Sequence, residues 1–170
     1  MKKVYIKITD EYIYLYENKK LKTFESKYIK NSSIDNIELF SKYISSIINE
    51  KGLKKQYIII VNNLLNTSEL FTYKYAIGKS NILYYKIIQD KDLLKESISN
   101  EYIIVFSWTN SATMMYKLNK EIYIEPLSNK LIDKLKKKYI LLIGDTNIKK
   151  KFKLPILISE HYDINVFNYI

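Results

Sequence analysis

The stretch VYIKITDEYIYL, residues 4–15, decides how this chain begins to fold. Apolar and polar side chains alternate before Asp10, and a run rich in β-branched and aromatic residues follows Glu11, which predicts two antiparallel strands joined by a tight turn. A strand over residues 21–28 can pair beside the second one. The chain is therefore expected to open with a three-stranded meander.

A helix and a buried strand are predicted after the meander. A capping signal at residues 31–33 precedes apolar residues at helical spacing over residues 37–48, as in a helix that packs on a sheet. Residues 57–61 are almost purely apolar, which is typical of a strand covered on both faces. The order so far is β-β-β-α-β.

The rest of the chain repeats this order. Residues 67–76 are predicted to form a second helix that ends at Gly78, residues 82–88 a strand and residues 90–97 a further helix. A second meander, a basic helix, two strands and a last helix are then expected at residues 102–106, 113–118, 122–125, 128–138, 139–143, 155–158 and 164–169.

These elements predict an α/β fold of two small lobes, each of βββα type, with a mixed sheet flanked by helices. We place the first lobe at residues 1–100 and the second, shortened lobe at residues 101–170. We expect the two lobes to form one compact unit.

The composition excludes several kinds of protein. The 170 residues are 47% hydrophobic, enough for a packed core, and the absence of cysteine excludes disulfides, cysteine zinc sites and thiol nucleophiles. The start MKKVYIKITD has no apolar segment behind its two lysines, and the apolar runs are far shorter than the roughly 20 residues that span a bilayer. We therefore expect a cytoplasmic protein.

The net charge of +10 has two interpretations. Lysines that contact phosphates release counterions, so the charge favours a nucleic acid or an anionic membrane surface as a partner. A composition dominated by Ile, Lys, Asn and Tyr, typical of AT-rich genomes, would give the same charge without a selected surface. The two densest basic runs flank one predicted strand and offer a candidate anion-binding patch at Lys136, Lys137, Lys138, Lys149, Lys150 and Lys151.

The order of the elements resembles that of the actin-like ATPase superfamily, which shares its core with ribonuclease H. Residues 4–15 and 103–122 resemble the two phosphate loops of that superfamily, and residues 139–170 resemble its nucleotide-proximal end. In this last stretch a buried strand runs into Gly144, and the run DINV at residues 163–166 is similar to the closing pattern of PilM-, FtsA- and ParM-type proteins. The resemblance implies an actin-like fold.

The phosphate loops depart from the pattern of that superfamily. There, an aspartate and then a glycine at the end of the first strand of each lobe hold magnesium and let the backbone approach phosphate. Here the corresponding residues are Lys7 and Thr9 in the first loop and Ser107 and Thr109 in the second. The adenosine-side glycine pair is reduced to Gly144 followed by an aspartate, which would repel a phosphate. We therefore expect no nucleotide, metal or other cofactor, and no enzymatic activity.

The chain is much shorter than most members of the superfamily, so the outer subdomains that close over nucleotide are expected to be absent. In this it is similar to the degenerate actin-like cytoplasmic components, of PilM and GspL type, in type IV pilus and type II secretion platforms. We expect an inactive adaptor or scaffold that binds a strand or helix of a protein partner, with no small-molecule substrate, either free in the cytoplasm or peripheral at the membrane. Homo-oligomerisation stays open. The alternative function is a basic nucleic-acid-binding α/β domain of phage, plasmid or viral origin.

A partner-binding surface is predicted near the second phosphate loop. Trp108 falls in the predicted loop at residues 107–110, where an exposed tryptophan would anchor an interface. Met114, Met115 and Tyr116 follow in the next strand and would add adaptable or aromatic contact surface. The alternative is that these side chains pack into the core.

Asp10 and His161 are the remaining candidates for catalytic groups. A ribonuclease H-type nuclease needs converging carboxylates, the first on the opening strand, whereas Asp10 falls in the turn and Lys7 in the strand. His161 is the only histidine, and without a serine or cysteine partner motif it is interpreted as a surface-turn residue.

Overall fold

A computed structural model of the protein describes residues 1–48, 54–62, 65–95, 98–108, 111–144, 148 and 151–158, with the main chain alone at Trp108, Ser111 and Gly144. The predicted helix at residues 164–169, Thr109, Lys149, Lys150 and His161 lie outside the described residues. The chain divides into two compact units, Met1–Asp90 and Lys91–Ile170.

The first unit contains one five-stranded sheet with two helices. Its elements are β1 (Lys2–Ile8), β2 (Tyr12–Glu17), β3 (Lys20–Glu25), β4 (Ile29–Lys30), β5 (Ser33–Ile34), α1 (Ile37–Ile47), β6 (Lys55–Val61), α2 (Thr67–Lys79) and β7 (Tyr85–Gln89). The strand order is β3-β2-β1-β6-β7, in which β1 to β3 are antiparallel and β1, β6 and β7 are parallel. The predicted opening meander is confirmed.

The second unit repeats this topology. Its elements are the short helix α3 (Asp90–Leu94), which begins at the last residue of the first unit, and then β8 (Tyr102–Trp108), β9 (Ser111–Leu118), β10 (Glu121–Pro126), α4 (Asn129–Leu135), β11 (Tyr139–Gly144) and β12 (Ile156–Ile158). The strand order β10-β9-β8-β11-β12 again places an antiparallel meander beside two parallel strands. The α/β fold of two similar halves is confirmed.

The central strands are apolar because both faces of each sheet are covered. Neighbouring residues on a strand point to opposite faces, yet Ile59 and Ile60 of β6 are both fully buried. On one face of the first sheet, β1 and β6 pack against Phe40 and Ile44 of α1 and against Tyr73 of α2. Each such apolar side chain contributes about 1.5–3 kcal/mol when it is fully buried.

The first helix begins later than predicted. Residues 31–33 do not cap it; they belong to the small hairpin of β4 and β5, in which Asn31 and Ser32 have φ angles of 49° and 64°. The N-cap is Asn36, whose side chain accepts a hydrogen bond from the Leu39 amide. The Ser32 amide donates instead to Asp10 Oδ1 at 2.6 Å, a contact from a distant part of the chain that holds the left-handed turn.

The second helix runs past the glycine that was predicted to end it. Asn66 caps α2, and the side chains of Asn66 and Glu69 form a reciprocal capping box. The helix continues through Gly78 to Lys79, and Ser80 is the C-cap. A glycine ends a helix when it adopts a left-handed conformation, and Gly78 instead keeps the helical one.

The boundary between the units precedes the predicted one at residue 100. Leu94 and Ile98 pack with Ile104 and Phe106 of β8 and with Met115 of β9, which assigns α3 and the residues after it to the second core. The predicted basic helix at residues 128–138 is shorter, because the chain turns left-handed after its last helical residue, Leu135. Both differences arise from packing and turn geometry that hydrophobic spacing does not encode.

Candidate functional site

The parallel strands of the first unit end at one edge of the sheet, where α/β folds usually bind ligands. The strands β1, β6 and β7 end at Ile8, Val61 and Gln89, and polar side chains lie within one residue of each end. These are Lys7, Asn62, Gln89 and Asp90, and all four are buried. This carboxyl edge is the candidate site.

An ion pair fills the centre of the carboxyl edge. Lys7 lies opposite Ile60 in the parallel register, and its Nζ lies 2.6 Å from Oδ1 of Asp90, the residue directly after β7. The side chains are 2% and 1% exposed. An ammonium and a carboxylate in such contact compensate each other's charge in a medium of low dielectric constant. A divalent cation at Asp90 would therefore meet a buried positive charge.

The sequence pattern points to Lys7 but not to its partner Asp90. Asp90 was predicted to begin a helix, which it does, and its role in the site comes from the parallel pairing of β6 with β7. The available signal was its position, because a polar residue directly after an apolar strand stands at the edge where ligands bind. The sequence did not show that β7 would end near Lys7.

Two amides extend the polar layer around the ion pair. Gln89 Nε2 donates to the main-chain carbonyls of Asn62 and Leu65 at 3.3 and 3.1 Å. Asn62 Nδ2 donates to Ser32 Oγ at 2.8 Å. These bonds join the ends of β6 and β7 to the β4–β5 turn.

Tyr73 of α2 completes this layer. Its hydroxyl donates to the Ser32 carbonyl at 2.8 Å, and burial, followed by the negative charges of Asp10 and Glu69, raises the pKa of Tyr73 well above its ordinary value. The tyrosine therefore stays neutral and acts as a hydrogen-bond donor. Asp10, the residue considered for a nuclease, lies in the turn between β1 and β2 and binds the Ser32 amide.

The corresponding edge of the second unit has different residues. Ser107 is buried and lies opposite Gly144 of β11 and Ala112 of β9, in the place that Lys7 has in the first sheet. Trp108 was predicted in a loop, but its main chain is the last residue of β8 and lies opposite Ser111. The prediction of a loop at residues 107–108 is wrong because β8 and β9 pair out to Trp108.

The predicted partner-binding side chains after Trp108 are in the core. Met114 and Met115 are fully buried and Tyr116 is 5% exposed. Met115 packs with α3 on one face of the sheet, whereas Met114 and Tyr116 pack with Ile132 of α4 on the other. The prediction that these three residues form an exposed surface on β9 is therefore wrong, and they pack in the core instead.

Tyr116 also anchors the edge of the second meander. Its hydroxyl donates to Glu125 Oε2 at 2.9 Å, and its ring stacks on Tyr123 at 5.3 Å between centroids. Burial, together with the Glu125 carboxylate, raises the pKa of Tyr116 to about 12. The side chain that was predicted to meet a partner thus binds within its own sheet.

The basic runs do not form one uniform patch in the described residues. Lys137 is buried, and its Nζ donates to the carbonyls of Asn100 and Lys117 at 2.9 and 2.6 Å. Desolvation lowers the pKa of Lys137. Lys138 is exposed and pairs with Glu101 at 2.6 Å. Lys136 and Lys151 are exposed, and the backbone of Lys136 has a left-handed conformation.

A cavity of about 280 Å³ lies at the opposite, amino end of the first sheet. Its polar wall contains Glu17, whose Oε1 lies 2.9 Å from Lys55 Nζ and 3.1 Å from Lys2 Nζ. The hydrogen bond from Lys55 is the main cause that lowers the pKa of Glu17. The remaining lining is largely apolar and consists of Val4, Leu15, Lys22, Ile47, Ile48 and Tyr57.

The described residues contain neither a cluster of metal ligands nor a helix that could span a membrane. No three histidine or carboxylate side chains among them lie close enough to hold a metal ion together. None of the helices described is both long and apolar enough to span a bilayer.

No protein-family model matches the sequence, and no curated protein matches it. Among solved structures, the chain is similar to the ethanolamine utilization protein EutJ from Carboxydothermus hydrogenoformans, with a TM-score of 0.59 and 8% identity over 98% of this chain and 87% of that one. It also matches the PPX-GPPA enzyme of Aquifex aeolicus, with a TM-score of 0.44 and 11% identity over 86% of this chain and 68% of that one. The first likeness concerns the fold alone. This similarity to EutJ and the two five-stranded sheets of this chain, which have the same strand order, show that the chain has the fold of the actin-like ATPases.

Proposed function

We propose that this protein is a catalytically inactive actin-like domain that acts as an adaptor or scaffold for a protein partner. The buried ion pair of Lys7 and Asp90 is the observation that carries the proposal. It lies at the end of the first strand, where the sequence resemblance leads one to expect a carboxylate that holds magnesium. A domain with this edge filled by its own side chains keeps the fold but offers its outer surfaces for binding.

The chemistry of the pair argues against a nucleotide at this edge. Lysines do bind phosphates in other nucleotide sites, but they do so as accessible point charges. The Lys7 ammonium is 2% exposed and its charge is compensated by Asp90. Binding a phosphate there would require this pair to separate and would leave a carboxylate buried beside an anion, which costs several kcal/mol.

The second edge supports the same proposal. Ser107 stands where an aspartate would hold magnesium, and a serine hydroxyl carries no charge to bind the cation. Ser107 is also buried between Gly144 and Ala112 in the sheet. Neither β1, with Lys7, nor β8, with Ser107, therefore has a carboxylate at the position where the superfamily holds magnesium.

The setting that we propose is the cytoplasmic face of a membrane assembly such as a type IV pilus or type II secretion platform. It follows from the resemblance in element order and from the absence of a phosphate-loop pattern in the sequence. The competing function is a nucleic-acid-binding domain, which the charge of +10 favours. Steep salt dependence of binding to random DNA would mark that alternative, because each phosphate contact releases counterions.

Isothermal titration calorimetry with ATP and magnesium tests the loss of the nucleotide site. We expect no measurable binding heat and no ATP turnover by the full chain. A micromolar dissociation constant, or turnover that the Ser107→Ala variant abolishes, would contradict the proposal. The Ser46→Ala variant, which alters an exposed serine in α1, controls for unspecific effects.

A further inference from the structure

The cavity at the amino end of the first sheet lies between one face of the sheet and the end of α1. Val4 of β1 is paired with Tyr57 of β6, and Leu15 of β2 with Lys22 of β3, and all four side chains line the cavity. The last residue of α1, Ile47, lines it from the helix. Every lining residue belongs to the first unit.

The interior of the cavity is apolar and already formed. Val4, Leu15 and Tyr57 are buried, and Ile47 and Ile48 are half-buried. Water finds few hydrogen-bond partners against such side chains, so an apolar group is favoured there. The volume of about 280 Å³ suits a body of about ten non-hydrogen atoms, because an apolar cavity of about 150 Å³ accepts benzene.

The one carboxylate in the wall is already occupied. Glu17 Oε1 lies 2.9 Å from Lys55 Nζ and 3.1 Å from Lys2 Nζ. A cationic ligand would therefore have to displace a lysine from Glu17 or add a third positive charge beside it. The wall thus disfavours an amine.

The remaining charged group in the wall is Lys22. Its side chain is exposed, so it lies where the cavity opens to solvent, and no ion pair of Lys22 occurs in the part of the chain that the structure describes. An ammonium in this position can donate charge-assisted hydrogen bonds to an anion. Burial, followed by the charge of Glu17, raises the pKa of Tyr57, so this tyrosine stays neutral and does not repel an anion.

We infer that the cavity binds a small apolar carboxylate, whose apolar body lies among Val4, Leu15 and Ile47 and whose carboxylate contacts Lys22. The body is an aryl or alkyl group of the size given above, far smaller than the chains of a membrane lipid. The inference goes beyond the proposed adaptor function and does not depend on it, because the cavity and the Lys7–Asp90 pair lie at opposite ends of the sheet.

Calorimetric titration of the full chain tests the class of ligand. The probes are phenylacetate and octanoate, with phenethylamine and 2-phenylethanol as a cationic and a neutral analogue of similar size. We expect at least one carboxylate to bind with a dissociation constant of about 1 mM or lower and to raise the melting temperature. The amine and the alcohol should bind at least about tenfold more weakly. Failure of both carboxylates to bind, or equal binding by the amine or the alcohol, would overturn the inference.

Two variants test the location of the site. Ile47→Trp fills the cavity from the helix, and Leu39→Trp, at an exposed position of α1 outside the lining, is its control. Lys22→Gln removes the charge at the opening, and Lys30→Gln, at an exposed position of β4, is its control. We expect Ile47→Trp to abolish binding of the carboxylate and Lys22→Gln to weaken it about tenfold, with no change in the controls.

Circular dichroism and thermal denaturation establish that each variant is folded. Lys22 is exposed, so Lys22→Gln keeps the test decisive even if Ile47→Trp does not fold. Unchanged binding of the carboxylate by a folded cavity variant, or an equal loss in its control, would overturn the inference. Either result would leave the adaptor function standing, because nucleotide binding is what contradicts that function.

Discussion

Lys7 and Asp90 are 83 positions apart along the chain, and their charged groups are 2.6 Å apart in the folded protein. Both side chains are almost completely buried. The pair joins the first strand of the sheet to the residue directly after its last strand. The pair thus links the carboxyl ends of β1 and β7, and its contribution to stability can be tested by mutation.

Removal of one partner of this pair should destabilise the fold strongly. Lys7→Met leaves a buried carboxylate without its partner, and we expect a loss of about 3–5 kcal/mol in the free energy of unfolding. The double variant Lys7→Met with Asp90→Leu removes both charges and should recover most of that loss. Urea denaturation of the three proteins measures the values. If the double variant were as unstable as the single one, the pair would have a role beyond mutual charge compensation.

Met115 should behave as a core residue. Met115→Ala leaves a cavity between the sheet and α3, so we expect a loss of about 2–5 kcal/mol in unfolding free energy. Thermal denaturation checks this value, with the exposed Leu157→Ala of β12 as a control that should change stability little. Unchanged stability of the Met115→Ala variant would contradict the core position of this residue and indicate that it is exposed.

Trp108→Ala separates the two roles that the sequence leaves open for this residue. Its main chain ends β8. In the core role, truncation of the tryptophan should cost about 3–5 kcal/mol in the free energy of unfolding. Differential scanning calorimetry measures the cost. Preserved stability with abolished capture of a partner would instead assign Trp108 to an interface.

Reversal of charge distinguishes a selected basic surface from a basic composition. Lys136→Glu, Lys138→Glu and Lys151→Glu change three exposed lysines of the basic runs. They should affect stability little, because solvent screens surface ion pairs such as that of Lys138 with Glu101. The control reverses the exposed Lys20, Lys30 and Lys54 and changes the net charge equally. We expect both triple variants to bind random DNA and anionic vesicles equally weakly. A selective loss in the first variant would reveal a selected patch.

Acid should remove the contribution of Glu17 to stability. Its pKa is lowered in the folded protein, chiefly by the hydrogen bond from Lys55, so the contribution is present above the ordinary glutamate pKa of about 4.3 and is lost as the pH falls through the lower folded value. Glu17→Gln should therefore be less stable than the wild type by up to about 1 kcal/mol at neutral pH and equal to it in strong acid. Denaturation over a pH series measures the difference, with the exposed Glu11→Gln as control. A constant difference at all pH values would contradict the ion-pair explanation.

Local sequence patterns predicted the order of the main strands and helices and the repetition of the two halves, but not the small hairpin of β4 and β5. The alternation before Asp10 and the run rich in β-branched and aromatic residues after Glu11 are local signals, and they predicted β1 and β2 within a residue or two of their bounds. The apolar runs of β6, β8 and β11 likewise predicted central strands. Such patterns are readable because burial on one or both faces of a sheet fixes the residue type at each position.

The accessibility of the candidate residues depends on tertiary packing. Met114 and Met115 look alike in sequence as contact residues, and both are buried because α3 and α4 cover opposite faces of their sheet. Lys137 belongs to a basic run, yet its ammonium is directed to two main-chain carbonyls. Lys7 acquires its partner from a strand added at the far edge of the sheet. Burial, and the pairing of groups distant along the chain, depend on how the elements pack, and the residue types of one element alone do not encode that packing.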